Sequence, residues 1–148
     1  MIVLDTNVLS ELMRPIPLPQ LTSWVEKHAG PQLAVTAVTE AEIFYGLELM
    51  PSGKRREGLL TAAETLFMRI LGGRTLPFDS EAARLYAKIA SARRKSGKPI
   101  SMPDAQIAAI VRVHNATLAT RNIADFEACG IHLVNPWEAK ERKKDDSL

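Results

Sequence analysis

Cysteine and aromatic residues are scarce in this chain of 148 residues. Cys129 is the only cysteine, so neither an internal disulfide nor a multi-cysteine zinc site can form. A sequence without a disulfide framework is typical of a reducing compartment, and we expect a cytoplasmic protein. Aromatic residues make up 5% of the chain. That low content argues against a sheet of stacked aromatics of the kind that some RNA-binding domains use.

Long apolar runs and glycine-rich loops are also absent from the sequence. Asp5 interrupts the first apolar stretch after four residues, and no segment approaches the ~20 apolar residues of a membrane span. We therefore expect no membrane segment. The absence of a glycine-rich phosphate loop argues against nucleotide binding of the P-loop or Rossmann kind.

The sequence also has no large excess of positive or negative charge. Lys and Arg total 19 and Asp and Glu total 17, which gives a net charge of +2. Any interaction with nucleic acid must therefore use a local site rather than the charge of the whole chain. The basic residues form short runs at residues 54–56, 93–98 and 142–144, and Arg121 stands alone beside Asn122. Such runs are usually solvated faces, but those that border an acidic pocket would hold phosphates.

What the sequence does contain is a repeated alternation of short apolar runs with helical periodicity. Residues 2–4, 33–35, 74–78, 117–120 and 131–134 read as short strands, and helical patterns separate them. Strands that are apolar at most positions are typical of a parallel sheet covered on both faces. We therefore predict an α/β fold: a three-layer α/β/α sandwich with a central, mainly parallel sheet of four to five short strands.

Polar side chains follow these predicted strands at the points where each one ends. Asp5 follows the first strand, and Glu42 is expected in the first turn of the helix after the second. Asp104 opens a helix of almost wholly apolar residues, and Asn122 and Asp125 follow the strand at residues 117–120. Because the carboxyl ends of parallel strands meet at one edge of a sheet, these side chains can converge although they are far apart in sequence.

Helix capping is the simpler explanation for each of these residues alone. Segments 39–42 and 101–104 have the pattern of a capping box, and Asn122 with Asp125 fits the same pattern. Capping does not explain why acids occur at successive junctions. Carboxylates that converge repel one another unless a cation lies between them. Oxygen ligands favour Mg²⁺ or Mn²⁺, and such a site suits hydrolysis of phosphodiester bonds.

Four segments of the sequence resemble, in order, the motifs of the PIN domain. They are residues 1–11 (MIVLDTNVLSE), 39–46 (TEAEIFYG), 103–109 (PDAQIAA) and 120–126 (TRNIADF), with NPW at 135–137. The likeness is greatest to the VapC/FitB branch, the toxins of type II toxin–antitoxin pairs. On this resemblance, residues 1–137 form a single PIN domain, and residues 138–148 are a charged tail that we expect to fray.

The resemblance implies a Mg²⁺- or Mn²⁺-dependent endoribonuclease that hydrolyses RNA by a metal-activated water. It implies a cognate VapB-like antitoxin, a homodimer, and a hetero-oligomer with that antitoxin which binds operator DNA only through the antitoxin. Asp5, Glu42 and Asp104 match the three acids of the family and are expected to be metal ligands, with Glu42 as ligand or water-positioning base. Asn122 stands where the family often has Asp, and Asp125 is the candidate that could compensate.

A second hypothesis is suggested by Asn122. A PIN domain that lacks one acid of its site could be weakly active or inactive. Its main role would then be to hold an antitoxin in an operator-DNA-binding complex. Thr6 and Asn7, which follow the first acid, are expected either to support that acid by hydrogen bonds or to satisfy the start of the helix.

Overall fold

The structure, a computed structural model, describes residues 1–138. The strands are β1 (Ile2–Leu4), β2 (Leu33–Thr36), β3 (Thr75–Leu76), β4 (Thr117–Ala119) and β5 (His132–Val134). They form one sheet in the order β3-β2-β1-β4-β5, and every neighbouring pair is parallel. The predicted sheet is therefore confirmed, with five strands, and β1 and β4 lie side by side near its centre.

Six helices connect these strands. They are α1 (Thr6–Leu12), α2 (Pro19–Lys27), α3 (Ala37–Leu49), α4 (Lys54–Thr65), α5 (Ser80–Lys95) and α6 (Met102–Val113). A π-helical turn at Leu66–Ile70 extends α4, and a 3₁₀ turn at Ile123–Phe126 follows β4. The apolar segment that opens with Asp104 is α6, and most of its residues are buried, as its composition predicts.

The helices cover both faces of the sheet. Successive residues of a strand point to opposite faces. Val3 packs in a core with α5 and α6, whereas Leu4 packs in a second core with α1 to α4. Leu118 and Ala119 of β4 divide between the same two cores. This division confirms the three-layer α/β/α sandwich.

The start of α3 differs from the sequence-based prediction. We predicted that the helix begins near Thr39, with a capping box over residues 39–42. The helix instead begins at Ala37, because the hydroxyl of Thr36 at the end of β2 accepts a hydrogen bond from the Thr39 amide at 3.1 Å. Glu42 therefore lies in the second turn of α3 and not in the first.

Of the two other predicted helix caps, one is confirmed and one is wrong. Ser101 caps α6, since its hydroxyl accepts a hydrogen bond from the Asp104 amide at 3.3 Å, as predicted. Asn122 precedes the 3₁₀ turn, but its side chain makes no capping hydrogen bond. The capping interpretation of Asn122 and Asp125 is therefore wrong, because the chain here forms a short 3₁₀ turn rather than an α-helix.

The proposed tail, apart from Glu138, lies outside the described residues, so the boundary between domain and tail stays a prediction. Within residues 1–138, no helix is long and apolar enough to cross a membrane.

Candidate active site

Asp5 lies at the centre of the candidate site, at the junction of β1 and α1. Its backbone amide donates to the carbonyl of Ala119 at 2.9 Å, which continues the pairing of β1 with β4. Its carboxylate caps α1 by accepting from the Thr6 amide at 2.8 Å. The other oxygen accepts a hydrogen bond from the hydroxyl of Thr120 at 2.7 Å. The residue is only 5% exposed, so this carboxylate is buried and fixed on both sides.

Burial raises the pKa of Asp5 from an ordinary value of 3.8 to about 6. Desolvation is the largest cause, because the low-dielectric interior disfavours the charged form. The hydrogen bonds from Thr120 and Thr6 lower the pKa, whereas the charges of Asp104 and Glu42 raise it further. Asp5 is thus a buried acid whose negative charge has no positive partner strong enough to compensate for its burial.

Glu42 is held near this centre by a contact between helices. The hydroxyl of Thr6 in α1 donates to Oε1 of Glu42 in α3 at 2.8 Å, and it also lies 3.1 Å from the hydroxyl of the buried Thr39. Glu42 itself is exposed. Thr6 therefore links the second predicted acid to the helix that Asp5 caps.

Asp104 lies in the first turn of α6 and is half-buried. Burial raises its pKa, and the charge of Asp125 adds to that effect. The hydrogen bond with Ser101 and the positive charge of Arg93 act in the opposite direction. Burial and a neighbouring acid thus disfavour the charged form of Asp104, as they do that of Asp5, although Asp104 is less buried.

One cavity of about 510 Å³ brings these side chains together. Its lining residues are Asp5, Thr6, Asn7, Ser10, Glu11, Arg14, Glu42, Asp104, Arg121, Asn122 and Trp137. Four of the five predicted site residues therefore face one space. Asp125 is the exception: it is exposed and does not line the cavity. Its carboxylate acts on the site only through its charge beside Asp104.

Thr120 follows β4 and connects it to the end of β1 through Asp5, and sequence reasoning did not single it out. Its fully buried hydroxyl donates to Asp5, and it accepts hydrogen bonds from the side chain of Asn7 at 3.3 Å and from the amide of Asn122 at 3.1 Å. The side chain of Asn7 also accepts from the Arg121 amide at 3.3 Å. The expected support of Asp5 by Thr6 and Asn7 is thus present, and Thr120 completes it.

The α1 side of the cavity was also missed. Ser10, Glu11 and Arg14 line it, and the guanidinium of Arg14 pairs with Glu11 at 3.1 Å. With Asn7, these residues occur at positions i, i+3, i+4 and i+7, which places them on one face of the chain around α1. That spacing was a usable signal, because this face continues directly from Asp5.

The second basic run has a role different from the phosphate contact considered for it. Arg93 is only 7% exposed. Its guanidinium donates to the carbonyls of Lys98, Asp125 and Glu127 at 2.7, 3.0 and 2.9 Å. Arg93 therefore fastens the turn after β4 to the end of α5, and it does not face the cavity.

The other basic runs do not line the cavity within the part of the chain that the structure describes. Arg56 donates to the carbonyl of Leu47 and pairs with Glu48 at 3.1 Å, and Lys54 and Arg55 line a separate groove beside α4. The run at residues 142–144 lies outside the described residues. The basic residues that line the cavity are Arg14 and Arg121.

The chemistry of the donors fits a hard cation, although residues 1–138 contain no preassembled group of three or more His, Cys, Asp or Glu side chains around one point. Asp5, Glu42 and Asp104 offer carboxylate oxygens to one cavity, and the charges of Glu42 and Asp104 raise the pKa of Asp5. Hard divalent cations prefer such ligands and remove this repulsion.

Known proteins resemble both the sequence and the fold. Residues 2–129 match the family described as "PIN domain". "VapC ribonuclease Y4jK" of Sinorhizobium fredii is 42% identical over 138 residues, which cover 93% of this chain and 99% of that protein. "Toxin FitB" of Neisseria gonorrhoeae is 37% identical over 93% of this chain and 99% of that protein.

The similarity extends to three dimensions. The solved structure of FitAB bound to the IR36 DNA fragment contains a chain that is 36% identical and has a TM-score of 0.86. The match covers 97% of this chain and 100% of that one. The resemblance drawn from the four sequence motifs is thereby confirmed. This chain belongs to the PIN-domain family, in its VapC/FitB branch.

Proposed function

We propose that this chain is the toxin of a type II toxin–antitoxin pair and a divalent-metal-dependent endoribonuclease. The observation that carries the proposal is the cavity around Asp5, where a buried carboxylate with a pKa of about 6 faces two further acids. The relative from Sinorhizobium fredii is a VapC ribonuclease, and that from Neisseria gonorrhoeae is the toxin FitB. Both are similar to this chain over more than nine-tenths of their length.

Asp5, Glu42 and Asp104 are the residues that would hold the cation, Mg²⁺ or Mn²⁺. Glu42 is exposed and Asp104 is half-buried, and both line the cavity with Asp5. A bound Mg²⁺ or Mn²⁺ supplies an activated water and stabilises the charge that develops on the phosphodiester oxygens.

The chain's own residues orient this chemistry. Thr120 and the Thr6 amide fix the two oxygens of Asp5, so one carboxylate geometry is held before substrate binds. The Thr6 hydroxyl holds Oε1 of Glu42, so this carboxylate is positioned to serve either as a ligand or as the base for the attacking water. Arg14 and Arg121 put positive charge on the cavity wall, which would draw the anionic RNA toward the site.

Asn122 and Asp125 complete the set of residues considered for the site. Asn122 lines the cavity at the position where the family often has Asp, and it contributes an uncharged amide. Asp125 does not line the cavity, so it is not a replacement ligand in this arrangement. We therefore place the metal-binding role on the first three acids, with Asn122 as a neutral contact for substrate or water.

The biological setting follows from the same proposal. The protein would act in the cytoplasm, form a homodimer, and be silenced by a VapB-like antitoxin that covers the cavity. The hetero-oligomer would bind operator DNA through the antitoxin. A FitAB complex with DNA is the precedent among the similar structures.

The test is to express the chain alone for a short time and to map new RNA 5′ ends across the cell. We expect arrested growth and new ends carrying 5′-phosphates, both prevented when the neighbouring antitoxin gene is expressed too. A Glu42→Gln variant expressed at the same level is the control. Normal growth with no new RNA ends would contradict the proposal.

The alternative is a PIN domain that acts mainly as an antitoxin-binding partner. Asn122 at the fourth position favours it, since one carboxylate is missing. The two functions differ in one observation: a binding partner alone would assemble with the antitoxin and operator DNA, yet release no new RNA ends when freed of the antitoxin.

A further inference from the structure

Arg121 and Trp137 form a stacked pair on the wall of the cavity. The guanidinium carbon of Arg121 lies 5.3 Å from the centre of the Trp137 ring, and both residues line the cavity that contains Asp5. Trp137 is the last residue of the NPW segment, to which the proposed chemistry gives no role. Its presence is notable because the chain has few aromatic residues.

Hydrogen bonds fix both members of this pair. Asn135 donates to the carbonyl of Arg121 at 3.4 Å and accepts from the Trp137 amide at 2.9 Å, so one side chain connects the two backbones. Gln20 of α2 donates to the Trp137 carbonyl at 2.7 Å, and Asn7 accepts from the Arg121 amide at 3.3 Å. The backbones of the pair are therefore held in place before any substrate arrives.

The guanidinium of Arg121 is the accessible polar group of the pair. Arg121 is exposed and makes no ion pair with a carboxylate in residues 1–138. The indole Nε1 of Trp137 is buried and has no hydrogen-bond partner among the described residues. The exposed guanidinium of Arg121, and not this buried N–H, is therefore the group that a ligand can reach.

We propose that Arg121, stacked on Trp137, is the platform for one base of the RNA beside the scissile phosphate, and that this pair determines sequence preference. The proposal rests on the ribonuclease function above. A guanidinium held over an indole ring by a cation–π contact can offer its outer face as a flat, cationic surface. Bases of single-stranded RNA stack on such guanidinium planes and on aromatic rings.

A contact with a phosphate alone does not require a guanidinium that is held beside an aromatic ring. Lysine neutralises a phosphate as a point charge, whereas stacking requires the planar guanidinium. The Asn135 bridge holds the two backbones together, and the Trp137 ring lies beside the guanidinium of Arg121. A defined position of the guanidinium matters for a stacked base and is of little use to a phosphate. These features favour a base as the ligand.

The test combines a base-removal scan with Arg121→Lys. An RNA oligonucleotide with one mapped cleavage site is prepared in versions that lack the base at each position flanking the cut, and kcat/KM is measured. For wild-type protein we expect about a tenfold loss at one position, the size of a lost base–side-chain stack. Arg121→Lys should lose a similar factor on the intact RNA and nothing further when that base is removed.

Arg69→Lys is the matched control, because Arg69 is exposed and lines a different groove, beside Gly30 and Pro31. It should behave as wild type. If base removal slows Arg121→Lys as much as wild type, or if Arg121→Lys cleaves the intact RNA at the wild-type rate, Arg121 is a phosphate contact and the platform is wrong. If wild-type protein neither cleaves nor binds the RNA, the ribonuclease function itself fails, and the platform with it.

Discussion

Asp5 and Asp125 are both carboxylates at the carboxyl edge of the sheet, yet their surroundings are opposite. Asp5 is 5% exposed, and its two oxygens accept from Thr6 and Thr120. Asp125 is exposed in a short 3₁₀ turn and lies outside the cavity lining. The difference shows that position after a strand does not by itself place an acid in a site. Burial and long-range hydrogen bonds do.

Asp104 and Asp125 interact through their charges, but only Asp104 lines the cavity. Substituting each of them tests the comparison, and we expect the largest effect on RNA cleavage here. Asp104→Asn removes a carboxylate that lines the cavity, so RNA cleavage should fall by more than the ~10–100-fold typical of an outer-sphere partner of a metal. Asp125→Asn should change the rate by less than about threefold, because the side chain is solvated and screened. Initial cleavage rates of the two purified variants measure both effects, and equal losses would contradict the assignment.

Stability without metal should reveal the burial of Asp5. The folded protein holds the Asp5 proton more tightly than the unfolded chain, since the pKa rises from 3.8 to about 6. The contribution of Asp5 to stability should therefore fall as pH rises from about 4 to 6, and Asp5→Asn should lack this part of the pH dependence. At pH 7 the shifted pKa corresponds to about 2 to 3 kcal/mol of destabilisation in the wild type. The variant should recover only part of it, because Asn has one oxygen and cannot accept from both Thr6 and Thr120.

Denaturant unfolding in EDTA at pH 4, 5, 6 and 7 measures this difference. Asp125→Asn is the control and should follow the wild type across the series. If the free energies of unfolding of the wild type and of Asp5→Asn change with pH in the same way, the pKa of Asp5 is not raised by burial.

Thr120 donates a hydrogen bond to the buried Asp5, and its substitution should have a smaller effect. Thr120→Val keeps the shape of the side chain but removes the hydroxyl that donates to Asp5 and accepts from Asn122. The buried partners lose their bonds, which costs about 1–3 kcal/mol of stability. The pKa of Asp5 should rise further, so the lower edge of the pH–activity profile should move to higher pH. Thr120→Ser retains the hydroxyl and should retain the profile.

Asn122→Asp should have the smallest effect of these substitutions. Asn122, like Asp125, is exposed. The substitution adds a carboxylate to the cavity at the position where the family often has Asp. The concentration of Mg²⁺ for half-maximal cleavage should fall by roughly two- to fivefold, because an extra charge near a cation in a solvated site contributes little more. Asn122→Ala should not lower it. A requirement for Mg²⁺ unchanged in Asn122→Asp would mean that this edge of the cavity does not face the cation.

The sequence predicts the fold and the convergence of the acids well, because both follow from local patterns. Short apolar runs mark all five strands, and the parallel arrangement then brings Asp5, Glu42, Asp104 and Asn122 to one edge. The wrong predictions concern choices between competing local contacts. Thr36 and not Thr39 caps α3, and Asn122 leaves its turn uncapped.

Other features depend on the assembled fold and have no signal in a single segment. Arg93 occurs in a charged run typical of solvent, but in the fold it is buried against three carbonyl groups. Trp137 joins the site only because β5 lies beside β4 and returns the chain to the cavity. Contacts of this kind depend on residues far apart in sequence.

The most direct test of the central claim is the cleavage of one RNA by wild-type protein and Asp5→Asn, each freed of antitoxin, in Mg²⁺, in Mn²⁺ and in EDTA. Asn fills the same space and can still accept from the Thr6 amide, so the fold should survive, as a melting curve will show. A metal-dependent site centred on Asp5 predicts cleavage by the wild type with either metal, none in EDTA, and none by Asp5→Asn under any condition. Equal cleavage by both proteins, or wild-type cleavage that persists in EDTA, would contradict it.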